Sequence, residues 1–140
     1  MKKIPTSDSS LALRTDFSDE SAWSAICAAI QEPSGDFGFT ANVDFVSDRE
    51  YDGLTAEQLR LVLPEGSHHS FLFIIDHVAL SQPDHPILVV DLLDEPGRTF
   101  RVIPSEMWAV ENNLSIANMD FEEFSDAVDS DGIFRGLPGA

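Results

Sequence analysis

Two uninterrupted apolar runs, residues 70–75 (SFLFII) and 87–90 (ILVV), constrain this chain more than any other feature. A strand with one wet face alternates apolar and polar residues, whereas a strand that is apolar throughout is covered on both faces. These two segments therefore belong at the centre of a sheet with a layer above and a layer below. The stretch between them contains Pro83 and Pro86 and no helical period. A connection that short joins antiparallel neighbours more readily than parallel ones.

The flanking segments supply the rest of such a fold. Residues 10–14 (SLALR), 41–46 (ANVDFV) and 99–103 (TFRVI) alternate and read as further strands, the last following the Glu95-Pro96-Gly97 turn. Ser18, Asp19 and Glu20 open a helix, with a hydroxyl cap and acids in the first turn where the dipole favours them. Trp23, Ile26, Cys27 and Ile30 form its apolar stripe, which ends before Pro33 and Gly35. Thr55 with Gln58 makes a capping box ahead of Leu59, Val62 and Leu63. Residues 105–110 read as one or two helical turns. Asp120 with Glu123 makes a second capping box ahead of Phe121, Phe124 and Val128, in a helix that Gly132 is expected to end.

The order is β-α-β-α-β-β-β-α-α. Strand-helix-strand crossovers are right-handed, so two successive ones that reverse direction place their helices on opposite faces. The expected fold class is α/β, a three-layer αβα sandwich on a mixed five-stranded sheet. Its strand order is 2-1-3-4-5, with strands 4 and 5 antiparallel to their neighbours. A two-layer ferredoxin-like sheet competes, but its β-α-β-β-α-β order fits less well. Trp23, Ile26, Phe73, Ile75, Val89, Phe121 and Phe124 are the expected core. At 140 residues this is one acidic domain, with residues 1–9 and 137–140 expected to be frayed tails.

Charge narrows the function classes. Asp and Glu number 25 against 8 Lys and Arg, a formal net charge of −17. Nucleic acid and anionic lipid both require clustered cations, so neither is an expected partner. A basic protein or a cation is. The opening MKKIPTSDSS lacks the apolar core of a signal peptide, no run is long enough to span a membrane, and Cys27 has no cysteine to pair with. The expected location is the cytoplasm.

In an open sheet of order 2-1-3 the ligand crevice lies at the carboxyl ends of strands 1 and 3. Thr15, Asp16 and Asp19 follow strand 1; Asp76 and His77 follow strand 3. If Asp16, Asp19 and Asp76 converge there, their oxygens could hold Mg²⁺ or Ca²⁺, as in the acidic pocket of a phosphoacceptor receiver domain. Receiver chemistry also needs a lysine after the last strand, and here the residues are Pro104-Ser105-Glu106. The competing reading has Asp16 capping the turn before the first helix and Asp76 capping a strand end. His68 and His69 lie at the opposite end of strand 3 from His77, so they cannot share a metal with it. A set of Asp76, His77 and His85 matches no standard zinc spacing.

Other chemistries lack their residues. The chain has no G-x-S-x-G elbow and no phosphate-binding glycine loop, and Cys27 sits inside a core stripe. Counting back from Glu123 puts Leu114 and Ile116 where an EF-hand needs oxygens. The acids at 120, 122, 123, 126, 129 and 131 read as a solvated face. Arg14 and Arg101 are expected to pair with carboxylates at strand ends, and Asn112, Asn113 and Asn118 to satisfy backbone groups in a fixed turn.

Residues 13–17 (LRTDF) with Trp23, residues 113–124 (NLSIANMDFEEF) and residues 132–136 (GIFRG) resemble an uncharacterised bacterial domain family over nearly the whole chain. The resemblance implies a small stand-alone cytosolic protein and carries no catalytic residues with it. The expected function is a non-catalytic, acidic protein-binding module that docks a basic partner, as immunity and inhibitor proteins do. The alternative is a divalent-metal sensor or hydrolase at Asp16, Asp19 and Asp76.

Overall fold

A computed structural model describes residues 2–35 and 37–137. Six strands form one sheet in the order β2-β1-β3-β4-β5-β6. They are β1 Ser10–Arg14, β2 Val43–Val46, β3 Phe71–Ile75, β4 Ile87–Asp91, β5 Thr99–Val102 and β6 Ile133–Phe134. β1 pairs in parallel with both β2 and β3, with Ala12 opposite Phe45 on one side and Phe73 on the other. β3 and β4 pair antiparallel, as do β4 and β5. The sheet is mixed and the order 2-1-3-4-5 holds.

The helices are α1 Glu20–Gln31, α2 Ala56–Leu61, α3 His77–Ser81, α4 Met107–Ser115 and α5 Phe121–Ser125. On one face of the sheet Trp23, Ile26 and Ile30 of α1, Met107 and Val110 of α4, and Phe121 and Phe124 of α5 bury Phe73, Val89 and Phe100. On the other face Leu59 of α2, Val62 just after it, Tyr51 and Ile4 bury Leu11, Leu13, Leu72 and Ile74. The helices of the first two crossovers thus lie on opposite faces. All five residues of β3 are buried, as an apolar run between two layers requires.

Several expectations need correcting. A sixth strand, β6, runs parallel to β5 with Val102 opposite Phe134. Two residues carry no periodicity, so nothing local announces it. Phe124, 5.1 Å from Phe134 and perpendicular to it, holds β6 in place, and Gly132 (φ +79°) belongs to its turn rather than to a helix end. The β3–β4 connection contains α3, which Asp76 caps through the Ala79 N–H and which buries Ala79 and Leu80. The cap of α1 is Asp19, not Ser18. Asn112 and Asn113 lie within α4, a longer helix than expected, with their amides on the Trp108 and Ala109 carbonyls. The amino-terminal tail is pinned: Ile4 is buried and donates its N–H to Val62, and Tyr51 donates to the Lys3 carbonyl. Residues 138–140 of the expected carboxyl-terminal tail lie outside the described residues.

Both capping boxes form as the sequence indicates, Thr55 with Gln58 and Asp120 with Glu123. Strand β1 is buried throughout rather than on alternate residues. Its polar ends are satisfied locally: Ser10 donates to buried Glu111, which also accepts from Asn42 N–H and Ser115.

Candidate functional site

The carboxyl ends of β1 and β3 form the switch point of the sheet, and Arg14 fills it. Its side chain is only 3% exposed. Nε donates to the Asp16 carbonyl, Nη1 to Ser47 and Nη2 to Glu20 at 2.7 Å. The guanidinium lies 4.3 Å from the Phe17 ring centroid and 4.7 Å from that of Trp23. Stacking on aromatic faces with a fork of hydrogen bonds is the geometry that lets a guanidinium stay buried. Where related sheet topologies keep a crevice, this chain has a plugged one.

The three aspartates expected to converge are each committed elsewhere. Asp16 accepts the Ser18 N–H and lies 2.8 Å from His77 Nδ1. Hydrogen bonds from Ser18, helped by His77, hold its carboxyl below the usual range. Asp19 faces the Ala22 N–H as a helix cap. Asp76 gives both oxygens to Arg101, at 3.0 and 2.8 Å, while also capping α3. Among the described residues no three His, Cys, Asp or Glu side chains are grouped to hold an ion. Asp16 and His77 supply two adjacent donors, with the His77 side chain largely in solvent. His85, in left-handed backbone (φ +50°), places Nδ1 2.9 Å from the Ala79 carbonyl.

Three other arginines also sit against carboxylates, while Arg49 lies 5.0 Å from the Phe17 ring centroid. Arg60 pairs with Glu57 and Arg98 with Glu95. Arg135 bridges Asp84 and Asp129, and Asp129 also accepts the N–H groups of Asp131 and Ile133, fixing the turn into β6. Arg135 and those backbone donors keep the Asp129 carboxyl low. Cys27 is partly buried against the core, and burial pushes its thiol up to about 11.

Clefts open away from the switch point. One of about 420 Å³ lies between residues 6–8 and 64–69 and includes His68 and His69. Another of about 280 Å³ lies at the amino end of β3, with Asp91, Asn118 and Glu123 in its wall. Buried Asp91 is used up there by the N–H groups of Leu93, Asp94 and Glu95. A third, of about 400 Å³, lies between the loop after α1 and the start of α4. Beside that third cleft Phe37 and Phe39 stand exposed, with Phe39 stacked on Trp108. The sequence reading passed over these rings. The signal was there: in Gly35-Asp36-Phe37-Gly38-Phe39 large apolar residues sit among turn formers, where the backbone leaves them nothing to pack under.

A family model described as Domain of unknown function (DUF6924) matches residues 9–137. The chain belongs to this family. The match takes in all six strands of the DUF6924 sheet, from Ser10 in β1 to Phe134 in β6. No curated protein matches the chain.

Proposed function

We propose that this DUF6924 domain is a non-catalytic, acidic module of the bacterial cytoplasm that docks a basic protein. The distribution of charge carries the reading. With 25 acids to 8 bases, six of the bases already sit against carboxylates of the chain itself: Lys2, Arg14, Arg60, Arg98, Arg101 and Arg135. Among the described residues most of the remaining carboxylates lie at the surface with no cation of the chain beside them, so a cationic protein is steered towards the domain at long range. The alternative, a divalent-metal site at Asp16, Asp19 and Asp76, requires Asp76 to leave two hydrogen bonds with Arg101.

The test begins with capture of the partner from the source cell and its purification, followed by stopped-flow association with the purified domain. A basic partner whose association rate falls at least tenfold between low and high salt is expected, because screening shortens the range of attraction. An acidic partner, or a rate indifferent to salt, overturns the proposal.

A further inference from the structure

The loop after α1 is pinched into a hairpin by paired hydrogen bonds between Ser34 and Phe39, at 2.8 and 2.9 Å. Gly35 and Gly38 turn its tip at φ +72° and +67°, a region that L side chains rarely adopt. Within the hairpin, Phe37 is 85% exposed and Phe39 45% exposed. Phe39 stacks on Trp108 with centroids 4.8 Å apart and planes at 17°, and Phe37 lies 5.9 Å from Phe39. Phe37 keeps most of its area in water and Phe39 nearly half, so these two rings stabilise the free domain little. Contiguous exposed apolar surface of this kind marks interaction sites.

The cleft of about 400 Å³ beneath the hairpin is walled by Pro33, Trp108, Glu32 and Glu106. Among the described residues neither carboxylate has a cation or a hydrogen-bond donor, in a chain where most other cations and many acids are paired. Glu106 is partly withdrawn from water, and that burial raises its carboxyl above the ordinary range. An apolar wall ending in unpaired carboxylates suits a long side chain whose stem is hydrocarbon and whose head is cationic. A second copy of this chain is a poor occupant, since each copy carries −17 and like charges repel.

We propose that this cleft receives an arginine or lysine side chain of the basic partner, while the Phe37–Phe39–Trp108 row covers an apolar residue beside it. The inference rests on the docking reading above and locates its contact surface. An aromatic anchor set beside charge pairs is the composition of an interface hot spot.

The probe is a blocked peptide alternating arginine and leucine, titrated into the full-length domain at about physiological ionic strength and followed by amide chemical shifts. The same peptide with citrulline in place of arginine keeps the shape and removes the charge. The expected result is shifts confined to residues 32–39 and 104–109, with binding lost for the citrulline peptide. Trp108→Ala and Glu106→Gln should each weaken binding about tenfold. Phe37→Ser, at a ring already in solvent, should weaken it in a domain that melts as the wild type does. Arginine-peptide shifts spread over residues 120–131 and unchanged in all three variants overturn the cleft while leaving the acidic docking module standing. Equal binding of both peptides, or none of either, overturns the cleft as a cation site. Concentration-dependent dimerisation abolished by Phe37→Ser overturns it in favour of self-association.

Discussion

Replacing Arg14 with methionine tests whether the plugged switch point is structural. The substitution keeps an unbranched, apolar stem between Phe17 and Trp23 but removes every polar contact of the guanidinium. Bonds from a charged donor to the Asp16 carbonyl and the Ser47 hydroxyl contribute about 2 kcal/mol each. Two partly desolvated cation–π contacts contribute about 1 kcal/mol each. The Glu20 ion pair adds little, because that carboxylate is 74% exposed and solvent screens it. Against this gross total of about 6 kcal/mol stands the recovered desolvation cost of a buried cation, several kcal/mol. The expected net loss is about 3 kcal/mol, a fall in Tm on the order of 10 °C for a domain of this size. Urea unfolding of Arg14→Met and Glu20→Gln checks both halves. Arg14→Lys should cost about as much as Arg14→Met, since an ammonium can neither stack flat nor fork. A loss below about 1 kcal/mol for Arg14→Met, or a Glu20→Gln loss equal to it, would refute the reasoning.

Three further outcomes are expected. Burial raises the Glu106 carboxyl in the folded state, so the folded domain holds its proton longer than the unfolded chain does, and stability falls as pH rises through that carboxyl's range. Glu106→Gln should therefore melt above the wild type at neutral pH, with the gap closing below the carboxylate range; a gap that persists in acid contradicts this. Cys27, with its thiol pushed by burial up to about 11, should react with iodoacetamide about a hundredfold more slowly than a free thiol at neutral pH, and mass spectrometry that finds it labelled at the free rate would show the α1 stripe open to solvent. With Asp76 held by Arg101, Mg²⁺ or Ca²⁺ should raise Tm no more than NaCl at matched ionic strength, whereas a divalent-specific rise abolished by Asp16→Asn or Asp76→Asn would establish the metal site.

Glu106 belongs to both the stability and the binding predictions, and they run in opposite directions. The same Gln substitution that relieves a partly buried charge should weaken the cleft's hold on a cation. Such a trade is expected where a domain keeps an unfavourable charge for a partner.

Local physics determined what the sequence could announce by itself. Thr55 with Gln58 and Asp120 with Glu123 form their capping boxes because each needs only neighbours three residues away. The apolar runs at 70–75 and 87–90 became the central antiparallel pair because covering both faces is the only way to bury them. The handedness of crossovers then settled the order of the first three strands and put α1 and α2 on opposite faces. What depended on distant partners was decided only by the tertiary structure. Strand β6 exists because Phe134 meets Phe124, and α3 because the sheet gives Ala79 and Leu80 somewhere to go. Asp16 and Asp76 do follow strands 1 and 3, but His77 and Arg101 claim their oxygens, and Arg101 lies 25 residues from Asp76 along the chain. The aromatic row depends on a stack between Phe39 and Trp108, on opposite sides of the β2-to-β5 sheet core in sequence. Periodicity reports which face of its own element a residue occupies; it does not report which other side chain waits there, and charge pairing and surface patches are made of that second fact.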